Sequence, residues 1–453
     1  MLIKLSIKEK IPRKLYNILL ETSKIFYDHG FECYYVGGFI RDILLGKNKN
    51  FDDIDIATNA KPEEVSQLFK RTIPTGIKHG TVTILYKGFK FECTTYRIEI
   101  QYKNHRHPDK INYAKNIYED LSRRDFTINA FAYDIIHELL IDEYNGWEDL
   151  KNKIIRCIGN PKERFLEDGL RPIRACRFMA TLEFQMDENT KKAIIDSDVR
   201  KSIQSISIER FTEELKKGFS ANRTSLMLKS LYELKLIEIF INKENINYNI
   251  SEHFFNYLDN LKNDKIKLSY WFWYQNFEVK KISKQLKFSN QLTKICELYI
   301  EFIKIYLNFH PFLFMKENDF HLLIHQDYKK INKVSLKYIK IYKKYLGKLK
   351  KEIPNESIQL LENLYYFIIQ NSYGFYTKNL NYHNFLILFY KWLINVLIKE
   401  PLIVTDLCID GNELKKLGFK GKEIGSKLHE LLDYVLENPE YNYRQYLLHL
   451  LKP

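Results

Sequence analysis

The stretch Cys33-Tyr34-Tyr35-Val36-Gly37-Gly38-Phe39-Ile40-Arg41-Asp42-Ile43-Leu44-Leu45-Gly46 decides how this chain is read. A short β-type run ends in two glycines, and a helical apolar pattern continues through Leu45. A strand that passes into a helix through Gly-Gly leaves backbone N–H groups open to an anion, and the helix N-terminus adds a favourable dipole. Arg41, one turn further on, can aim its guanidinium at the same anion. By itself Gly-Gly also reads as an ordinary turn.

The segment Phe51-Asp52-Asp53-Ile54-Asp55-Ile56-Ala57 changes that balance. Residues two apart on a strand share a face, so Asp53 and Asp55 set two carboxylates side by side. Adjacent like charges are costly unless a cation lies between them, and hard oxygen ligands suit Mg²⁺. Two metals held this way can activate an attacking hydroxyl and stabilise a leaving pyrophosphate. Glu92, in Phe91-Glu92-Cys93-Thr94-Thr95-Tyr96-Arg97, is a candidate third carboxylate. Strand alternation sends it either toward this site or to solvent, and both readings stand.

Outward from this centre the first third is mixed α/β. Helical patterns cover residues 13–29 and 62–70, and β-type runs cover 54–57, 81–86 and 89–96. From about Arg164 onward, long apolar-periodic, Lys-rich stretches predict helix almost throughout. A break is expected at Lys399-Glu400-Pro401, with a compact segment after it.

Length and composition set the outer limits. The chain has 453 residues, 45% hydrophobic and 15% aromatic, enough for sizeable cores and for more than one domain. A formal charge of +14 favours a polyanionic partner, although the Lys-, Asn- and Ile-rich composition accounts for part of it. Six cysteines stand singly with no Cys-x-x-Cys pair, which supports neither a zinc ribbon nor a disulfide framework and suits a reducing cytoplasm. The N-terminus interleaves lysines with apolar residues, unlike a secretory signal. The most apolar stretch, residues 385–398, is broken by Lys391 and Asn395 and is shorter than a bilayer span, so the expectation is a soluble protein with no membrane partner.

Taken in order, VGGFIRDILLG, DDIDIAT, TGIKHGTVT, FECTTYRIE and DLSRRDFTINA resemble the head of the class II tRNA nucleotidyltransferases, the CCA-adding enzymes and their poly(A) polymerase relatives. The resemblance covers about half of the chain. It implies an α+β architecture: a polymerase-beta-type head with a small mixed sheet at 1–150, then an all-helical neck at 151–220, body at 221–399 and tail at 400–453. It further implies that Gly37, Gly38 and Arg41 contact a nucleoside triphosphate, that Asp53 and Asp55 hold Mg²⁺, and that Arg124 reaches ribose and phosphate.

In the segment from Phe165 to Phe178, Asp168, Arg171, Arg174 and Arg177 recur every third residue, so one helix would carry them as a polar stripe. A salt-bridged exposed helix is the plain reading. The chemical alternative is base selection. Cytosine and adenine each present an exocyclic amino group beside a ring-nitrogen acceptor, which a carboxylate and a guanidinium complement. Guanine and uracil leave both contacts unsatisfied, which discriminates strongly. The family's Glu-Asp-x-x-Arg motif falls on Glu167-Asp168-Gly169-Leu170-Arg171, giving Asp168 and Arg171 the base-reading roles, with Arg174 and Arg177 assisting. Gly169 stands where the family often has proline, and Pro172 comes later, so the helix is expected to begin late.

Support roles follow for Gly146-Trp147-Glu148-Asp149-Leu150 with Arg156, which resembles the head–neck joint. They follow equally for the segment from Ser207 through Glu209, Arg210 and Glu213, which resembles a brace for the reading helix. The Thr75–Thr81 segment resembles the CCA type rather than a poly(A) polymerase, and the full-length connection from Arg97 to Arg123 disfavours CC-only addition. His105 and His107, and His321 and His325, lack further ligands for a metal site. Trp271-Phe272-Trp273 stands where relatives with a phosphohydrolase module carry His-Asp ligands. The implied activity is addition of C, C and A to tRNA from CTP and ATP, with the acceptor and T arms bound by the basic helical remainder. A-only addition, poly(A) synthesis and a non-catalytic RNA-binding scaffold are the alternatives.

Overall fold

The computed structural model describes residues 1–47, 54–76, 80–98, 112–308, 330, 333–371 and 380–451. Asp53, residues 77–79, the His105/His107 loop and the His321/His325 pair lie outside these residues. The chain forms two compact units, Met1–Glu244 and Asn245–Pro453.

The first unit begins with β1 (Leu2–Lys4) and α1 (Arg13–Asp28). Next come β2 (Tyr34–Val36), α2 (Gly37–Leu44), β3 (Ile54–Thr58), α3 (Pro62–Leu68), β4 (Thr72–Gly76), β5 (Thr81–Tyr86) and β6 (Phe89–Thr95). The short β7 (Arg97–Ile98) and β8 (Asn112–Tyr113) precede α4 (Ile117–Ser122), β9 (Phe131–Asp134), β10 (Leu139–Asp142) and α5 (Gly146–Lys151). Eight strands form one sheet in the order β1-β10-β9-β2-β3-β6-β5-β4. The expected strands and helices of residues 13–96 are present; the apolar pattern did not flag β1, β4 or the β9–β10 hairpin.

Alternation gives this sheet two different faces. Ile54, Ile56, Phe91, Cys93, Val82, Ile84, Tyr35 and Tyr133 all enter one core, joined there by Leu15, Leu19 and Phe26 of α1 and Ile40 and Ile43 of α2. Burial of each large apolar side chain in this set contributes roughly 1.5–3 kcal/mol. The intervening residues Asp55, Glu92 and Thr94 therefore face the other way. That second face is only partly covered, by a small cluster in which Ile117 and Leu121 of α4 meet Val36, Ala57 and Ala132.

The unit continues through β11 (Ile154–Ile155), α6 (Pro161–Glu167), α7 (Leu170–Leu182), β12 (Gln185–Met186), α8 (Glu188–Ile194), α9 (Ser197–Gln204), α10 (Ile208–Phe219) and α11 (Thr224–Glu233). β11 and β12 pair in parallel. Ile173, Cys176 and Ala180 of α7 are buried, and the Cys176 thiol meets the Ser230 hydroxyl of α11 at 3.3 Å.

In the second unit every described element is helical. Its buried centre is aromatic, with Tyr270, Trp271, Tyr299, Tyr342 and Tyr345 all at or near zero exposure, so the Trp271 segment is core. The lysines of the helix Lys333–Glu352 are largely committed inside the unit. Lys340 pairs with Glu437, Lys343 with Glu400, Lys344 with Asp433 and Lys350 with Asp406. A further apolar cluster, including Leu407, Leu414, Leu431, Val435 and Leu447, organises the segment after residue 400. Among the described residues no helix is long and apolar enough to cross a membrane.

Candidate active site

β2 passes directly into α2 at Gly37, whose φ is +67°. That left-handed backbone suits glycine, and a second constraint acts at the same position. A Cβ on Gly37 would lie 3.2 Å from both the Asp55 Oδ2 and the Arg124 Nη1. The glycine turn, the β3 carboxylate and the arginine are thus immediate neighbours. On Gly38 a Cβ would press on the Arg41 guanidinium.

This turn forms one wall of a cavity of about 550 Å³. Gly37, Gly38, Arg41, Asp55 and Arg124 line it from the sheet side, and Asp168, Arg171, Arg174, Arg177 and Arg210 line it from the helical side. Residues 130 apart in sequence share one hollow, which no local pattern reveals. Counting Arg97 and Arg123 as well, eight arginines line the cavity against the carboxylates of Asp55, Asp125 and Asp168. An excess of fixed cations in a concave site concentrates a polyanion there.

Hydrogen bonds run across the cavity from one side to the other. Arg41 Nη1 donates to the Asn129 Oδ1 at 2.6 Å, and Asn129 Nδ2 donates to the Asp125 Oδ1 at 3.0 Å. Arg174 closes on the Asp125 Oδ2 through Nε at 2.8 Å and Nη2 at 2.7 Å. Arg177 Nε donates to the Glu214 Oε2 at 2.5 Å. Burial by itself would raise the Asp125 carboxyl, but the Arg174 charge and the hydrogen bonds pull it down to about 2. Asp120 is lowered despite its burial, because the Arg124 and Arg123 guanidinia flank it. Arg124 binds Asp120 through Nη2 at 3.0 Å, while its Nε is buried without a hydrogen-bond partner.

The structure corrects two expectations. Asp168 is not on the same helix as the three arginines: α6 ends at Glu167, Asp168 is extended (φ −147°, ψ 107°), and α7 starts at Leu170. The late helix start agrees with the position of Pro172. A Cβ on Gly169 would collide with the Ser202 carbonyl of α9, so the corner lies tightly against that helix. Asp168 nevertheless faces the cavity, held by the Leu170 N–H at 3.0 Å and by Arg210 Nη2 at 2.8 Å. Arg171 is 5% exposed and donates to the Glu167 Oε2 at 2.7 Å, to the Arg164 carbonyl and to the Arg123 carbonyl.

Glu92 is the second correction. The parallel β3–β6 register sets it directly beside Asp55 on the same face. Its side chain is about half exposed and meets Lys90 at 3.3 Å, and it does not line the cavity. Among the described residues no group of three or more His, Cys, Asp or Glu side chains gathers to hold a metal.

Four residues of the network were not singled out from sequence: Asp120, Asp125, Asn129 and Glu214. Glu214 carried a legible signal: on α10 it falls on the buried stripe of Phe211, Leu215 and Gly218, where a carboxylate needs a buried cation. Asn129 carried none, because only the turn after Phe126 brings its amide between Arg41 and Asp125.

The first unit thus combines a mixed sheet, a Gly-Gly helix entry, a half-buried strand carboxylate and an arginine-lined hollow, an arrangement suited to a polyanionic ligand. Residues 33–156 match the model described as "Poly A polymerase head domain", and residues 183–244 match "Probable RNA and SrmB- binding site of polymerase A". These two stretches are similar to the CCA-adding enzymes and poly A polymerases. The chain is 50% identical over 190 residues to a CCA-adding enzyme of Lactobacillus helveticus (42% of this chain, 46% of that protein) and 49% identical over 188 residues to one of Enterococcus faecalis (42% and 45%). The chain spans about half the length of the curated relatives it matches. Its fold is similar to that of the Bacillus stearothermophilus CCA-adding enzyme in complex with CTP, with a TM-score of 0.67 at 23% identity over 96% of this chain and 97% of the other. It is similar also to the Thermotoga maritima enzyme complexed with tRNA, with a TM-score of 0.60 at 20% identity over 100% and 98%.

Proposed function

We infer that this chain is a template-independent CTP/ATP:tRNA nucleotidyltransferase that adds C, C and A to the tRNA 3′ end. The observation that carries this reading is the single cavity in which the Gly37-Gly38 turn and Asp55 face Asp168 and Arg171. Backbone N–H groups at Gly37 and Gly38, with Arg41 and Arg124, bind the triphosphate. Asp168 retains acceptor capacity beyond its two protein donors and receives the exocyclic amino group of C or A, while Arg171 serves the ring nitrogen. The tRNA 3′-hydroxyl attacks the α-phosphorus, its bond to the departing pyrophosphate breaks, and positioning and electrostatics supply most of the rate.

A carboxylate oxygen suits a hard cation, and the Asp55 carboxylate stands at the glycine turn. Asp53 and Asp55 are the residues that would hold Mg²⁺. Bound there, the metal would supply charge stabilisation to the phosphates and the leaving group. In this reading residues 1–150 are the head, 151–220 the neck, 221–399 the body and 400–453 the tail, and the helical remainder binds the acceptor and T arms of a cytoplasmic tRNA. CCA-adding enzymes of similar fold form complexes with CTP, with ATP and with tRNA, which supports those partners.

The test is incubation of the purified chain with tRNA lacking its 3′ end and each labelled nucleotide. Ordered incorporation of C, C and A is expected. A single A or repeated A would move the assignment to an A-adding enzyme or a poly(A) polymerase, and no incorporation would leave an RNA-binding scaffold.

A further inference from the structure

Among the described residues, Phe178 is the one aromatic residue lining the arginine-rich cavity. Its ring is 4% exposed and sits edge-on to Phe126, with centroids 5.7 Å apart and planes at 83°. Three guanidinia converge on it: Arg177 at 3.8 Å from the ring centroid, Arg41 at 5.3 Å and Arg174 at 5.5 Å. All three lie within the range in which a ring quadrupole attracts a cation. Arg41 comes from α2, at the glycine turn, whereas Arg174 and Arg177 come from α7, beside the proposed base-reading pair.

Each guanidinium also spends hydrogen-bond donors on an oxygen. Arg41 donates to Asn129, Arg174 to Asp125 and Arg177 to Glu214. A carboxylate placed between the three would have gathered them by cancelling their charge. An aromatic ring draws the three together without adding a further negative charge to the carboxylates of Asp42, Asp125 and Glu214 that already pair with them. Each ion pair fixes one guanidinium, and the shared ring is what all three have in common.

We propose that Phe178 is a positioning residue for the nucleoside triphosphate, its ring gathering Arg41, Arg174 and Arg177 so that the phosphate-binding and base-reading sides hold one mutual geometry. This rests on the reading of the cavity as a nucleotide site. Phe178 touches no reacting atom; it acts through the guanidinia, so its loss raises KM for both CTP and ATP and changes kcat little.

The experiment replaces Phe178 with phenylalanines carrying one, two and three ring fluorines, and separately makes Phe178→Leu, in the full chain. Fluorination keeps the ring's size and apolar character while draining its negative face. KM for ATP and for CTP should climb stepwise with fluorine number, to about tenfold at three fluorines, with the thermal midpoint unchanged through the series and kcat within about twofold. Phe178→Leu should reach at least the same KM. A flat KM across the fluorinated series, with the unmodified protein incorporating nucleotide normally, would overturn the role of Phe178 and leave the site assignment standing. An unmodified protein that neither binds nor incorporates either nucleotide would overturn both.

Discussion

Asp125→Asn tests whether the buried carboxylate between the two sides of the cavity stabilises the first unit in the way its surroundings imply. The Asp125 Oδ1 accepts from the Phe126 N–H at 2.8 Å and from Asn129, and the Oδ2 accepts twice from Arg174. These contacts hold the carboxyl at about 2 although burial opposes its charge. Against an unfolded value near ~3.9, a difference of about two units at ~1.36 kcal/mol each gives roughly 2–3 kcal/mol of stability at neutral pH. Asparagine removes that charge and turns an amide donor toward either Arg174 or the Phe126 and Asn129 donors. The expected loss is at least this amount, or about 5–10 °C in thermal midpoint for a unit of this size. Because the folded pKa is depressed, the contribution is complete above the unfolded value and disappears as pH falls through about 2. Urea unfolding of the full chain, read by hydrogen exchange of peptides from residues 1–244, isolates this unit. The wild-type advantage should be constant from pH 7 to about pH 5 and shrink below about pH 4. A variant as stable as wild type at pH 7, or a gap that does not narrow in acid, would refute the claim that Arg174 sets the state of this carboxyl.

Three further outcomes are expected. Arg210→Leu should loosen rejection of UTP and GTP while moving the midpoint by no more than about 2 °C, since the Asp168–Arg210 pair is partly exposed and such pairs contribute ~1 kcal/mol at most; steady-state incorporation of all four nucleotides, with a melting curve, decides it. Gly146→Ala should destabilise by about 1–3 kcal/mol, because a Cβ there runs into the Thr127 carbonyl and the Phe131 ring, and a melt at neutral pH measures it. In the second unit Lys343 is fully buried, 2.7 Å from Glu400 and donating to the Leu436 carbonyl. Lys343→Met should cost about 3–5 kcal/mol by leaving Glu400 without this cation, and the double variant with Glu400→Leu should recover much of the loss, as denaturant titration of both would reveal.

The sheet side of the cavity was legible in the chain because its signals are local. Gly37-Gly38 after a β-run, and Ile54 and Ile56 flanking Asp55, require only the two-residue strand period and glycine's backbone freedom. The same arithmetic misled at Asp168. Spacing of three suggests one helix face, but the chain breaks between Glu167 and Leu170 because Gly169 is pressed against α9, a contact with a residue more than thirty positions away.

Residue type and order therefore determined the strand faces, the anion-binding turn and the list of charged candidates, since each depends on neighbours a few positions away. Tertiary structure alone decided which of those candidates meet. It brought Asp168 and Arg171 to the hollow containing Asp55, put Asn129 and Glu214 into the same network, committed the lysines of one long helix to internal pairs, and left Glu92 outside the cavity. The reason is physical: charges pair, and burial acts, through space, and close contacts between residues 37 to 97 positions apart are set by packing rather than by any periodicity along the chain.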